Sequence, residues 1–279
     1  MDGKIVLITG ANSGIGFEAS VKLARMDAEV VIVARDATKA EKAVAEIKSR
    51  SGSQKVSSLL CDFASQAAIR ALGSAFSAKF LRLDVLINNA GSVNDHRQLT
   101  SDGIEQTLAV NHLGYFLLSN LLLDLLKKSA PARVVNVSSI AQRDGVIDFD
   151  NLNYEHGGYS TMKAYARSKL SNVLFTRELA RRLAGTGVTV NCLHPGTVAT
   201  NIWAHAPWFA RPFLKAARLF MISAEQGGDR IVYLATSPAV DGQSGGYYEK
   251  DRRVEPSLIA RDEKLARSLW DVSAQLVKL

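Results

Sequence analysis

Short runs rich in apolar residues alternate along the chain with longer segments in which apolar residues recur at helical spacing. Such runs are typical of strands buried on both faces of a parallel sheet, and the segments between them of the helices that connect parallel strands. The runs occupy residues 5–8, 29–34, 55–60, 83–87, 132–137 and 188–192, with a further short strand near 246–248. This alternation of predicted strands and helices is interrupted by no linker, and the sequence contains no internal repeat. It therefore predicts an α/β fold in a single domain over residues 1–279, a doubly wound parallel sheet of about seven strands with helices on both faces.

Two predicted helices carry additional information. A long helix is expected over residues 101–128, but Asn111 and Gly114 interrupt its apolar sequence. Both residue types are unfavourable inside a helix, so they predict a local break that has a purpose. At the end of the chain, apolar residues at helical spacing predict an amphipathic packing helix over residues 256–276.

A glycine-rich turn joins the first strand to the first helix. Backbone N–H groups that have no partner, together with the helix dipole behind them, make such a turn a phosphate site. Glycines permit the tight turn and the close approach of a pyrophosphate. An ordinary glycine-rich loop is the alternative, but the strand before it and the helix after it favour a dinucleotide. The residues expected to contact the cofactor here are Gly10, Asn12, Ser13, Gly14, Ile15 and Gly16.

The ends of the second and third strands are expected to lie around the adenosine. Arg35 ends the second strand, where an acidic residue would accept from the 2′-hydroxyl of NAD and an arginine can accept a 2′-phosphate. We therefore expect NADP(H) in preference to NAD(H), unless Arg35 only begins a loop in which Asp36 caps the next helix. Asp62 and Phe63 follow the third strand; Asp62 could accept from the adenine amino group or cap the helix that begins near Ser65.

The fourth strand continues into two asparagines and a small Ala-Gly pair. Amide hydrogen bonds from Asn88 and Asn89 can brace the sheet. The backbone of Ala90 and Gly91 can then approach the ribose or adenine closely, and Asn89, Ala90 and Gly91 are predicted cofactor contacts.

The candidate chemistry is an acid/base pair on a later helix. Tyr165 and Lys169 are four residues apart and so share a helix face. A free phenol has a pKa of about 10, and a neighbouring ammonium, helped by a nicotinamide cation, would lower it. Ser139 follows the fifth strand and could hydrogen-bond the substrate oxygen; Ser138 is its nearest rival. Hydride transfer between an alcohol and a dinucleotide requires such a group of side chains.

A second Tyr-x-x-x-Lys pair shows how little the spacing alone proves. Tyr159 and Lys163 have the same separation, but Gly157 and Gly158 place Tyr159 at or before the start of the helix. Its register to Lys163 is therefore uncertain, and we prefer Tyr165.

Together these motifs resemble the short-chain dehydrogenase/reductase family, in the family's order and over nearly the whole chain. Details resemble its retinol dehydrogenase-like branch. The motifs that carry the resemblance are Thr9-Gly10-x-x-x-Gly14-Ile-Gly16, Asn88-Asn89-Ala90-Gly91, Asn111-His-Leu-Gly-Tyr-Phe, Ser139, Tyr165-x-x-x-Lys169 and Pro195-Gly196.

The resemblance implies a Rossmann-type fold and assigns a role to each site residue. Tyr165 would be the acid/base, Lys169 would lower its pKa and hold the nicotinamide ribose, and Ser139 would position the substrate oxygen. Asn111 would keep a proton-relay water. Pro195, Gly196, Val198 and Thr200 would form the turn against the nicotinamide, with the last two contacting its carboxamide.

Composition narrows the function classes. Apolar residues make up 47% and charged residues 22% of the chain, as in soluble globular proteins. The formal net charge of +7 fits an anionic cofactor, but no basic run is dense enough to indicate nucleic acid. Cys61 and Cys192 are expected to be buried thiols, forming neither a disulfide nor a metal site. No leader and no apolar run of membrane length is visible, so we expect a cytoplasmic protein without the N-terminal anchor of membrane-bound retinol dehydrogenases.

The substrate is expected to be lipophilic. Residues 201–222 are rich in aromatic side chains, including Trp203 and Trp208, and follow the sixth strand, where a lid over the nicotinamide would lie. A subunit contact or a peripheral membrane contact is the alternative, because basic residues punctuate the stretch. We therefore expect an alcohol dehydrogenase/carbonyl reductase acting on a retinal-like aldehyde or ketone. A steroid- or polyketide-type ketoreductase and a non-catalytic NAD(P) sensor are the alternatives, and the oligomeric state is left open.

Overall fold

A computed structural model describes residues 1–197 and 222–279, whose strands form one eight-stranded sheet in the order β3-β2-β1-β4-β5-β6-β7-β8. Strands β1 to β7 pair in parallel, and β8 is antiparallel to β7. The predicted α/β fold is confirmed, with one strand more than expected. The strands are β1 (Ile5–Thr9), β2 (Glu29–Ala34), β3 (Val56–Leu60), β4 (Val85–Asn88), β5 (Ala132–Val137), β6 (Val188–His194), β7 (Tyr247–Glu249) and β8 (Arg252–Val254).

The strand that the sequence does not reveal is the edge strand β8. Arg252 and Arg253 are exposed and Val254 is only half-buried, so the strand has no apolar run to mark it. Charged side chains are common on edge strands because they discourage pairing with other chains.

Helices cover both faces of the sheet. In β1, Leu7 belongs to one hydrophobic core, whereas Val6 and Ile8 belong to the other. Both cores exclude water, which explains why the strands are rich in apolar residues. The helices are α1 (Gly14–Arg25), α2 (Ala37–Ser51), α3 (Gln66–Lys79), α4 (Gln106–Leu108), α5 (Gly114–Leu121), α6 (Leu123–Lys128), α7 (Thr161–Arg182), α8 (Ala224–Thr236) and α9 (Glu263–Val277).

The single long helix expected over residues 101–128 is wrong in its start and in its continuity. Helix α4 begins after Glu105, whose carboxylate accepts from the N–H groups of Thr107 and Leu108 at 2.8 Å each. A π-helix, Ala109–Leu113, then joins α4 to α5. The break predicted around Asn111 is therefore confirmed, as a widened helical turn.

The C-terminal helix is shorter than the predicted residues 256–276. It begins at Glu263, because Asp262 accepts from the N–H groups of Lys264 and Leu265 and so caps the first turn. The helix packs against α5: the Trp270 ring lies 4.8 Å from that of Phe116, centroid to centroid.

The segment predicted as a lid, residues 201–222, lies outside the described residues except for Ile222, so the lid stays a prediction. Val198 and Thr200 also lie outside them. Of the helices described, none is both long and apolar enough to cross a membrane.

Candidate active site

A cleft of about 630 Å³ runs along the edge of the sheet where the parallel strands end. Most of the predicted site residues line it, and they come from six strand ends and two helices. These are Gly10, Asn12, Ser13, Gly14, Ile15, Arg35, Asp62, Phe63, Asn89, Ala90, Gly91, Ser139, Tyr165, Lys169, Pro195 and Gly196. Gly16 and Asn111, which are also predicted site residues, lie behind this surface.

The start of helix α1 differs from the starts of the other long helices. Its N-cap residue, Ser13, makes no side-chain hydrogen bond to the first turn. In contrast, side chains cap the other helices of more than ten residues that the structure describes, namely α2, α3, α7, α8 and α9, through Asp36, Ser65, Ser160, Ser223 and Asp262. Free N–H groups at the positive end of a helix fit a phosphate. This part of the cleft therefore suits the pyrophosphate of a dinucleotide.

The glycine loop is held close to the end of β4. A Cβ on Gly10 would lie 2.7 Å from the Cα of Ala90, and Gly10 has a φ of +65°. The amide of Asn89 donates to the carbonyls of Thr9 and Gly10 at 2.8 and 3.0 Å. A Cβ on Gly16 would collide with that same amide. Gly16 therefore acts from behind the loop, by leaving room for the Asn89 side chain.

Charged side chains surround the end of the cleft near β2 and β3. Arg35 is exposed there and lines the cleft, and Asp36 accepts from the N–H of Lys39 at 2.8 Å and so caps the next helix. Lys39 also lines the cleft, a residue that the sequence reasoning missed because only the orientation of α2 brings it there. Asp62 accepts from the N–H of Ala64 at 3.0 Å.

Helix α3 begins after Ser65, whose hydroxyl accepts from the N–H of Ala68 at 3.2 Å. The suggestion that Asp62 caps this helix is therefore wrong. Asp62 remains free to face the cleft, which it lines.

Asn88 braces the sheet as predicted. Its amide donates to Ser119 at 3.0 Å and to the Asn136 carbonyl oxygen at 2.8 Å, and Asn136 donates to Thr176 at 2.9 Å. This buried chain of hydrogen bonds joins β4 and β5 to α5 and α7, and it fixes the strand ends that form the cleft floor.

Asn111 sits in the π-helix and is fully buried. Its side chain accepts from the N–H of Ser92 at 2.7 Å and donates to the Ser92 carbonyl and to the Ser168 hydroxyl, both at 3.0 Å. The side chain thus ties the loop after β4 to helix α7. These side-chain contacts are structural, since they use both N–H donors of the amide and one acceptor position of its oxygen.

Tyr165 and Lys169 share a face of α7 at the other end of the cleft. The Lys169 ammonium lies 5.6 Å from the centre of the Tyr165 ring and donates to the carbonyl of Val137 at 3.0 Å. Burial lowers the pKa of Lys169 to about 8, since the charged form has lost its hydration. Burial raises the pKa of Tyr165, and the neighbouring Ser139 hydroxyl opposes this change.

The two candidate serines have different surroundings in the structure, and so do the two candidate tyrosines. The hydroxyl of Ser138 donates to the carbonyl of Lys169 at 2.8 Å and is buried, whereas Ser139 lines the cleft. Tyr159 lies before the N-cap of α7, as predicted, and its hydroxyl donates to the carbonyl of Asn94 at 2.9 Å. Only Tyr165 of the two candidate tyrosines lines the cleft.

Both cysteines are buried and free, and burial raises the pKa of each thiol to about 12. Both thiols are therefore protonated at neutral pH, and their burial is as expected.

The model of the family described as short chain dehydrogenase matches residues 4–207. The chain belongs to that family. Retinol dehydrogenase 14 from Homo sapiens is 45% identical, with 100% of this chain and 88% of the relative aligned. Retinol dehydrogenase 13 from Homo sapiens is 42% identical over 99% of this chain and 85% of the relative. This short-chain dehydrogenase is therefore an NAD(P)-dependent oxidoreductase of the retinol dehydrogenase-like branch, as the resemblance implied.

Solved structures agree with the family assignment. An uncharacterized protein from Mycobacterium paratuberculosis is 33% identical with a TM-score of 0.81, covering 99% of this chain and 94% of that one. The RhlG/NADP active-site complex from Pseudomonas aeruginosa is 27% identical with a TM-score of 0.72, covering 88% of this chain and 94% of that one. These neighbours share the Rossmann-type fold of this short-chain dehydrogenase.

Proposed function

We propose that this chain is an NADP(H)-dependent oxidoreductase that transfers a hydride between the nicotinamide and a lipophilic alcohol or carbonyl compound, with Tyr165 as acid/base. The observation that carries the proposal is the meeting of Tyr165, Lys169 and Ser139 in the same cleft as the glycine loop. A bound nicotinamide would supply or accept the hydride.

The side chains of this chain would handle the proton. In the reducing direction the Tyr165 hydroxyl gives its proton to the substrate oxygen as the carbonyl carbon gains the hydride, and in the oxidising direction it takes the proton back. The ammonium of Lys169 favours the phenolate form of Tyr165, and its remaining N–H groups can hold the nicotinamide ribose. Ser139 donates to the substrate oxygen and aligns it. By family resemblance, Val198 and Thr200 would contact the carboxamide.

Two cations near β2 support the choice of NADP. Arg35 and Lys39 line the same end of the cleft, and neither forms an ion pair with a carboxylate among the residues that the structure describes. Both are therefore free to meet a 2′-phosphate, which NADP carries and NAD lacks. The Pseudomonas aeruginosa neighbour, which was solved as an RhlG/NADP complex, supports the same choice.

Apolar side chains near Tyr165 support a lipophilic substrate. Ile140 and Met162 line the cleft, and they are 37% and 50% exposed. An apolar substrate that covers them would be favoured by removal of this surface from water. The curated relatives are named retinol dehydrogenases, which makes retinal-like aldehydes the first substrates to test.

Turnover should be followed at the absorbance band of the reduced nicotinamide, with NADPH and NADH separately. The panel contains retinal, aliphatic aldehydes and steroid ketones, so that the best substrate separates an aldehyde reductase from a ketoreductase. We expect Tyr165→Phe to lower kcat by about 10²- to 10⁴-fold. Tyr159→Phe is the matched control and should keep the wild-type rate, because its hydroxyl donates to the carbonyl of Asn94 in a loop.

Equal rates for Tyr165→Phe and the wild type would refute the assignment of the acid/base. Tight NADPH binding without turnover of any panel member would instead favour a dinucleotide sensor.

A further inference from the structure

Lys169 has an unusual environment for a cation. The residue is 4% exposed, and one of its three N–H donors is taken by the carbonyl of Val137. Burial lowers its pKa, and within the described part of the chain no charged side chain forms an ion pair with it. A buried ammonium without an anionic partner keeps its charge only if nearby polarisable groups replace part of its lost hydration.

Two aromatic rings stand close to this ammonium. The Nζ of Lys169 lies 5.6 Å from the centre of the Tyr165 ring and 6.0 Å from the centre of the Tyr115 ring. The face of an aromatic ring attracts a cation, and more strongly where water is excluded. Tyr165 belongs to the proposed chemistry, whereas Tyr115 lies in α5 and is fully buried.

The hydroxyl of Tyr115 has no hydrogen-bond partner among the described residues. A buried hydroxyl without a partner destabilises a protein, so hydrogen bonding to protein groups does not explain a tyrosine at this position. The ring of Tyr115, by contrast, lies close enough to the Lys169 ammonium for a cation–π contact.

We propose that Tyr115 is a positioning residue whose ring stabilises the Lys169 ammonium and so keeps it charged beside Tyr165. The inference rests on the proposed function, because it concerns the lysine that would favour the Tyr165 phenolate. Tyr165, on the same helix, and Tyr115, on α5, are the titratable groups that face Lys169; burial raises the pKa of both, so both are neutral near pH 7. The other groups around the ammonium, the Val137 carbonyl and the backbone near Gly91, do not titrate.

The test measures the pKa of Lys169 directly. The ε-carbon signals of ¹³C-labelled lysine are followed by NMR against pH without added nucleotide, and Lys169→Arg assigns the signal. Tyr115→Leu removes the ring and should lower the pKa of Lys169 by about half to one unit. Tyr115→Phe keeps the ring and should leave the pKa at the wild-type value.

Phe116→Leu is the matched control for loosened packing. Phe116 follows Tyr115 in α5 and is equally buried, but its ring packs against Phe175 and Trp270. This variant should leave the pKa of Lys169 unchanged. If Tyr115→Leu does not fold, Tyr115→Met keeps more of the side-chain volume without an aromatic face and takes its place.

A second readout is the pH profile of kcat/KM. With Tyr115→Leu, the fall in rate at alkaline pH should move to lower pH by the same amount as the NMR pKa. An unchanged Lys169 pKa in Tyr115→Leu would overturn the proposal, as would an equal shift in Tyr115→Phe or in Phe116→Leu. Because the NMR titration needs no turnover, it stands even if the proposed reaction is wrong.

Discussion

Adjacent residues of the same type can have unrelated roles in this site. Ser138 and Ser139 follow the same strand, but strand geometry points successive side chains to opposite sides. The Ser138 hydroxyl therefore donates to a backbone carbonyl of α7, whereas Ser139 lines the cleft. Tyr159 and Tyr165 differ in a similar way, because one precedes the helix and the other lies inside it.

Arg35 gives a prediction at the same scale. Arg35→Ala should weaken NADPH binding by about 10- to 100-fold, since a charge-assisted contact to the 2′-phosphate is lost. Binding of NADH, which has no such phosphate, should stay the same. Fluorescence titration of the two reduced nucleotides against wild type and variant measures both constants.

Lys39→Ala is the natural companion variant, because Lys39 lines the same end of the cleft. It should show the same selectivity for NADPH with a smaller effect. Equal losses for NADPH and NADH in Arg35→Ala would contradict the proposed phosphate contact.

At the scale of elements, the turn from α4 into α5 decides how the cleft is built. The π-helix carries Asn111, which ties the loop after β4 to α7. One residue beyond the π-helix, Gly114 lets the Phe63 ring pack against the helix backbone. Phe63 itself lines the cleft, so this helix shapes the cofactor site from behind.

Gly114→Ala tests this packing. The added Cβ would lie 2.6 Å from the Cδ1 of Phe63, so the ring must move. We expect a loss of about 1–3 kcal/mol in the free energy of unfolding, together with weaker NADPH binding. Urea unfolding and nucleotide titration measure the two effects.

A double-mutant cycle supplies the control. Phe63→Leu removes the ring edge that collides with the new methyl group, so Gly114→Ala should cost less stability in the Phe63→Leu background. Equal costs in the two backgrounds would show that the collision is not the cause.

At the scale of the whole molecule, the C-terminal helix is joined to the site-forming elements. Trp270 of α9 packs on Phe116 and Phe175, and the Arg182 guanidinium lies 4.2 Å from its ring centre. Ser273 of α9 shares a hydrogen bond with the Nε2 of His112, at 2.9 Å, inside the π-helix. Chain elements far apart in sequence therefore meet directly behind Asn111.

His112 makes stability depend on pH. Its burial lowers its pKa to about 4. In the unfolded chain a histidine has a pKa of about 6.5, so as the pH falls the unfolded chain takes up a proton on His112 before the folded protein does. The free energy of unfolding that His112 contributes is therefore fully present above pH 6.5 and is lost as the pH falls towards 4. We expect His112 to account for a loss of about 2 kcal/mol in the free energy of unfolding between pH 7 and pH 5.

The measurement is urea unfolding of wild type and His112→Gln at the two pH values. His194, whose pKa burial also lowers to about 4, titrates in the same range, so the difference between the two proteins isolates His112. The variant should be less sensitive to acid than the wild type. Identical losses would show that His112 does not titrate in this way.

The sequence by itself determined the fold class, the order of the parallel strands along the chain and the chemical identity of the site. It could do so because burial on both faces leaves short runs rich in apolar residues, and because phosphate binding and proton transfer each require particular residue types at fixed spacing. The starts of the long helix and of the C-terminal helix were misplaced, because capping by Glu105 and Asp262 depends on side-chain geometry.

Only the tertiary structure decided which of two serines and which of two tyrosines reach the cleft. It also brought in Lys39, which no motif marks, and it placed Tyr115 beside Lys169, a contact that the motif around Asn111 does not predict. It gave the side chain of Asn111 a structural part. These outcomes depend on the directions of side chains and on contacts between distant segments, such as Ser92 with Asn111 or Lys169 with Tyr115. The spacing of residues along the chain does not predict such contacts, because they form only when the sheet and its helices pack together.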